Sequence, residues 1–112
     1  MPTEVSISNP FRKDLDHLAR KYPKVLDTIE SLITDLENDM RPGDKIPRVG
    51  YDVYKVRLPN PSAGRGKRGG FRAIYYVQLQ DRIILLIIYS KTEQSDISPD
   101  EIRRVLEDIE ST

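Results

Sequence analysis

The sequence predicts an α+β domain: an N-terminal strand, a helical hairpin, an antiparallel three-stranded meander and a C-terminal helix. Three observations lead there. Residues 11 to 36 carry apolar side chains at helical spacing, interrupted only by Pro23. Residues 53 to 89 hold three strand-like runs separated by turn-type segments. The last stretch opens on Ser98-Pro99-Asp100-Glu101, the signature of a helix start. A chain of 112 residues suits a single domain spanning 1–112.

Each element has its local reason. Val5 and Ile7 alternate with polar neighbours, the pattern of a short edge strand. Asn9-Pro10 reads as a helix cap followed by proline at the first helical position. Phe11, Leu15, Leu18 and Tyr22 then share one face, and Pro23 closes this helix and opens the next. Val25, Leu26, Ile29, Leu32, Ile33 and Leu36 form a wide apolar stripe that runs to Asp39, and Pro42-Gly43 ends it.

From Val53 to Leu58 the faces alternate, with Tyr54, Val56 and Leu58 opposite Val53, Lys55 and Arg57. Pro59 to Gly70 is a loop with two prolines and four glycines. Phe71 to Leu79 is a second strand, with Arg72, Ile74 and Tyr76 on one face and Phe71, Ala73, Tyr75 and Val77 on the other. Gln80-Asp81 turns the chain back into Arg82–Tyr89, whose unbroken apolar run predicts a strand covered on both faces. In the last helix Ile102, Val105, Leu106 and Ile109 make the buried stripe. Short links between the last three strands require an antiparallel meander. The helical hairpin covers one face of that sheet. The other face is expected to present Lys55, Arg57 and Arg72 to solvent as one cluster, since adjacent strands bring them together.

Composition removes several kinds of chemistry. Without cysteine there is no disulfide framework, thiol nucleophile or thiolate metal site. A single histidine, His17, excludes His-pair metal sites and two-histidine ribonuclease chemistry, and it falls off the apolar stripe of the first helix. Most carboxylates fall on predicted solvent faces, so neither a metal site nor a cofactor is expected. No apolar run reaches the roughly 20 residues that span a membrane, and the N-terminus lacks the features of a signal peptide. A cytoplasmic protein with no membrane partner is the expectation.

The net charge is zero, but it is unevenly laid out. Residues 41–72 carry nine basic and two acidic side chains, while residues 1–40 have a net charge of −3 and residues 92–112 of −5. Such a basic middle is either a solvated face that balances acidic ends or a site for a polyanion. Gly64-Arg65-Gly66-Lys67-Arg68-Gly69-Gly70 is not a nucleotide-binding loop. Its Lys67 is followed by Arg68 rather than Ser or Thr, and a strand rather than a helix comes next. Its cations suit a flexible clamp on a polynucleotide backbone or a solubilising hairpin loop. Arg48, Arg65, Lys67 and Arg68 are the candidate polynucleotide contacts.

What remains is lysine, arginine and tyrosine chemistry. Cleaving RNA through its own 2′-OH requires a group to take the 2′ proton, charge to neutralise the phosphate and a donor for the leaving 5′ oxygen. Arginine holds phosphate in a fixed fork, a lysine among other cations is a candidate base, and tyrosine donates a proton or stacks on a base. Lys55, Arg57, Arg72, Tyr89 and Lys91 supply that set without metal or histidine.

Four stretches carry a family resemblance: Phe11-Arg-Lys-Asp-Leu-Asp-His-Leu, Val53-Tyr-Lys-Val-Arg-Leu, Gly66-Lys-Arg-Gly-Gly-Phe-Arg-Ala-Ile-Tyr-Tyr and Ile88-Tyr-Ser-Lys-Thr-Glu. In this order the chain resembles the RelE/ParE toxin superfamily, in particular its RelE and HigB branches. The resemblance implies a RelE-like microbial RNase fold. It also implies the toxin of a type II toxin–antitoxin system, which enters the ribosomal A site and cuts mRNA during translation. The implied partners are a cognate antitoxin, wrapped over the basic surface, the ribosome and mRNA. Lys55, Arg57 and Arg72 fall where the family's cations touch the scissile phosphate or act as base, and Lys91 matches its lysine at the end of the last strand. Two positions depart: Thr92 stands where an arginine is common, and Ser98 where a C-terminal tyrosine is used, leaving Tyr89 as the substitute. A ParE-like inhibitor of DNA gyrase and a catalytically weak RNA- or ribosome-binding member are the alternatives. The full cationic set favours the mRNA endonuclease.

Overall fold

In the computed structural model the described residues are 3–61, 70–94 and 96–110. Arg65, Lys67 and Arg68, with most of the glycine-rich loop, lie outside them. Strand β1 (Glu4–Ile7) leads into helix α1 (Asn9–Lys21), and α2 (Val25–Glu37) completes the hairpin. Then come β2 (Asp44–Lys45), β3 (Val53–Leu58), β4 (Phe71–Leu79), β5 (Arg82–Ser90) and α3 (Pro99–Glu110). The sheet order is β1-β5-β4-β3-β2. The meander is antiparallel as expected, but β1 runs parallel to β5, so the five-stranded sheet is mixed. The two-residue β2 is an addition to the predicted order, too short to show any periodicity. Among the described residues no helix is long and apolar enough to cross a membrane.

The cap of α1 differs from the expectation by one residue. Ser8, not Asn9, occupies the extended N-cap position, and its Oγ accepts from the Phe11 amide at 3.1 Å. The same hydroxyl donates to the Leu86 carbonyl at 2.8 Å. Leu86 is the extra residue of a β-bulge: Tyr75 pairs with Leu85 while Ile74 pairs with Ile87. One serine thus starts a helix and satisfies a carbonyl beside a break in the ladder. At the other end of the hairpin, Arg41 ties α2 to the β4–β5 turn by donating to the Leu36, Met40 and Gln80 carbonyls. Part of the basic middle is therefore structural.

The sheet separates two cores. On one face α1 and α2 bury Phe11, Leu18, Val25, Ile29, Leu32 and Leu36 against Val56, Leu58, Phe71, Ala73, Tyr75, Ile83 and Leu85. On the other, Ile102 and Leu106 of α3 and Val49 cover Val53, Ile74, Ile84, Leu86 and Ile87. Ser98 Oγ accepts from the Glu101 amide at 3.2 Å, the expected cap of α3. Helix α3 then runs back along the sheet until Glu110 meets the Tyr76 hydroxyl at 3.1 Å.

This second core corrects one expectation. Arg72 lies on the predicted face, opposite the helical hairpin, but it is only 4% exposed. Alternation fixes which face a side chain takes. How much of that face is covered depends on distant segments, and residues 46–53 and α3 pack over its apolar part.

Candidate functional site

The second face is divided along its length. Its apolar half lies under α3, and the cations begin beyond the helix. Cross-strand register puts Arg57 opposite Arg72 and Arg72 opposite Tyr89, one row over three strands. Lys55 is two residues from Arg57 along β3, and Lys91 is two beyond Tyr89. Period-two alternation sends all five to the same side. Lys91 is fixed just past the strand end by its amide, which donates to the Gly70 carbonyl at 3.0 Å.

These five residues differ sharply in access. Arg57 is exposed, with no hydrogen-bond or ion-pair partner among the described residues. Lys55 and Lys91 are half-buried. Arg72 is buried, and its guanidinium donates to the Phe71 carbonyl at 3.1 Å. Removing its side chain therefore takes away packing as well as charge. Tyr89 is 3% exposed.

A carboxylate absent from the sequence-level reading joins them. Asp96 Oδ1 accepts from Lys91 Nζ at 3.0 Å and from the Tyr89 hydroxyl at 3.1 Å, and it lies 3.7 Å from Lys55 Nζ. Chain geometry puts it there. After β5 ends at Ser90, the chain must turn back over the same face to start α3 at Pro99. The connection crosses the cationic end of the sheet on its way. The one sequence signal for Asp96 was its place in that short return.

The electrostatics follow from these contacts. The Lys91 ammonium, then the Tyr89 hydroxyl and the Lys55 charge, hold the Asp96 carboxyl below its ordinary range. Burial, then the bond to Asp96, pushes the Tyr89 phenol up to about 12, against a smaller opposing effect of Arg72. At neutral pH Tyr89 is thus a protonated donor and not a base. Fixed arginine charge, two lysines and one phenol can grip a phosphate and move a proton.

Of the remaining candidates only Arg48 is among the described residues. Arg48 adopts a left-handed φ of 67° in the segment covering the second face, and its carbonyl accepts from Arg103 of α3. Arg65, Lys67 and Arg68 are outside the described residues. Of the two departures from the family pattern, Ser98 is used as the α3 cap, and the Thr92 hydroxyl is paired with that of Ser90 at 3.0 Å. His17 is exposed on α1. Among the described residues no group of three or more His, Cys, Asp or Glu side chains is arranged to hold a metal ion.

Comparison with known families agrees with this architecture. The model describing the RelE toxin of the RelE / RelB toxin-antitoxin system matches residues 13–110, from α1 to the end of α3. With nearly all of its length matched, and with the cationic face lying inside the match, this chain belongs to the RelE toxin family.

Proposed function

We propose that this toxin is a ribosome-dependent mRNA endonuclease acting through the RNA 2′-OH. The observation that carries the reading is the grouping of Lys55, Arg57, Arg72, Tyr89 and Lys91 on one sheet face. Family membership adds that RelE toxins are generally endoribonucleases and pair with an antitoxin. In the reaction the 2′ oxygen attacks the neighbouring phosphorus and the bond to the 5′ oxygen breaks. The products are a 2′,3′-cyclic phosphate and a free 5′-hydroxyl.

Each side chain has a role suited to its surroundings. Arg57, exposed and unpaired among the described residues, grips the phosphate. Arg72, buried beside it in the row, contributes charge from beneath. Lys55 or Lys91, acting from its neutral amine form, takes the 2′ proton and becomes the ammonium. Tyr89, with its raised pKa, protonates the leaving oxygen. The acidic ends of the chain leave this basic face as the complementary surface for an acidic or amphipathic antitoxin segment. Arg48, Arg65, Lys67 and Arg68 are proposed as outlying contacts to RNA or ribosome.

The test is induction in cells with mapping of mRNA ends and DNA breaks. Cuts within translated codons are expected. Arg57→Ala and Lys91→Ala should reduce them by about a hundredfold, the usual effect of losing one charge-stabilising or proton-transfer group. Circular dichroism should show both variants folded, because neither side chain belongs to a core. Gyrase-linked DNA breaks without mRNA cuts would overturn the proposal in favour of a ParE-like activity. Intact RNA and DNA would leave only a binding member of the family.

A further inference from the structure

Among the described residues, Asp96 is the acidic group that contacts the cations of this face. A single oxygen, Oδ1, faces Lys91 Nζ, the Tyr89 hydroxyl and Lys55 Nζ at 3.0, 3.1 and 3.7 Å. The donors come from β3 and from β5 with the residue just past its end, and one is a buried phenol. A non-bridging phosphate oxygen takes the same kind of donors, ammonium and hydroxyl groups. The Asp96 side chain is 55% exposed and sits in the irregular connection before α3, outside both cores. The neighbouring Ile97 packs against the second core, while the Asp96 side chain itself meets these donors.

We infer that the Asp96 carboxylate occupies the subsite of the scissile phosphodiester, as an internal anion that RNA must displace. The identification of the incoming anion as RNA rests on the function proposed above. The subsite itself rests on the contacts. A phosphodiester and a carboxylate each carry one negative charge, so they cannot share three donors at contact distance. When the phosphate enters, Asp96 swings out on its exposed connection, and Tyr89 and Lys91 exchange one anionic oxygen for another. The free protein thereby keeps its donors paired and ordered. RNA binding is correspondingly weakened by the competition.

The test is binding of a fluorescent single-stranded oligonucleotide, 2′-O-methylated throughout so that attack is impossible, to the full chain without ribosomes. Asp96→Asn keeps an acceptor for Tyr89 and removes the charge, and Asp96→Ser removes both the charge and the reach. Both should bind roughly three- to tenfold tighter than wild type, the range expected for releasing exposed ion pairs. Asp100→Asn removes an equal charge from the first turn of α3, where Asp100 pairs with Arg103, and should leave affinity unchanged. Equal or weaker binding by the Asp96 variants, the same gain for Asp100→Asn, or no binding by any of the proteins would overturn the inference.

Mapping of mRNA ends separates this result from the reaction itself. If the Asp96 variants gain affinity but wild type cuts no mRNA, the subsite stands and the proposed reaction fails. If wild type cuts mRNA and the Asp96 variants gain nothing, the reaction stands and the subsite fails.

Discussion

Replacing Tyr89 by Phe removes one oxygen, and with it a proton that the folded state holds tightly. The phenol titrates at about 12 in the fold against 10.0 in a free tyrosine. Two units correspond to about 3 kcal/mol of preference for the protonated form. The folded pKa is the higher one, so this contribution is complete below about pH 10 and is lost as pH rises towards 12. At neutral pH the variant lacks a hydrogen bond to a charged acceptor, worth about 1–2 kcal/mol because Asp96 keeps Lys91. On raising the pH, wild type should lose about 1 kcal/mol relative to the variant by about pH 11 and about 2 kcal/mol by about pH 11.5. The stability gap should close and then reverse. Urea unfolding of both proteins in half-unit steps measures it. Tyr75 is also shifted upward by burial, but it is present in both proteins and cancels in the difference. Parallel pH profiles would refute the assignment of a buried, proton-donating Tyr89.

Two further substitutions probe the supports of the site. Gly43 has φ of +92°, and a Cβ there would overlap the Lys55 carbonyl of the neighbouring strand. Gly43→Ala should lower the unfolding free energy by about 1–3 kcal/mol, read as a lower urea midpoint at unchanged slope. Ser8→Ala removes both the α1 cap and the donor to Leu86, and should cost about 1–3 kcal/mol in the same assay.

The strands of the meander were legible because their information is local. Alternation in Val53–Leu58 and Phe71–Leu79 gave the bounds of β3 and β4 and assigned Lys55, Arg57 and Arg72 to one face. The α3 cap was legible for the same reason, since Ser98 and Glu101 meet within one turn. Ser8 and Asn9 are both good caps, and the choice between them fell to where β1 ends and to a carbonyl freed by a bulge 78 residues away. The burial of Arg72 and the arrival of Asp96 share a cause. Both depend on how distant parts of the chain are brought over this face, and no window of sequence around either residue contains that fact.

The parallel pairing of β1 with β5 bears on how the chain folds during synthesis. Residues 4–7 leave the ribosome early, yet their partners are residues 82–85. Until β5 is made, β1 has no neighbour and the first core lacks Ile83, Leu85 and Ile88. The cationic face is later still, because Lys91 and the connection to α3 follow β5. High contact order of this kind makes folding slow and leaves the apolar run of β5 exposed to misassembly while it waits. The nascent chain therefore carries no assembled cationic face until β5 and the connection to α3 have emerged.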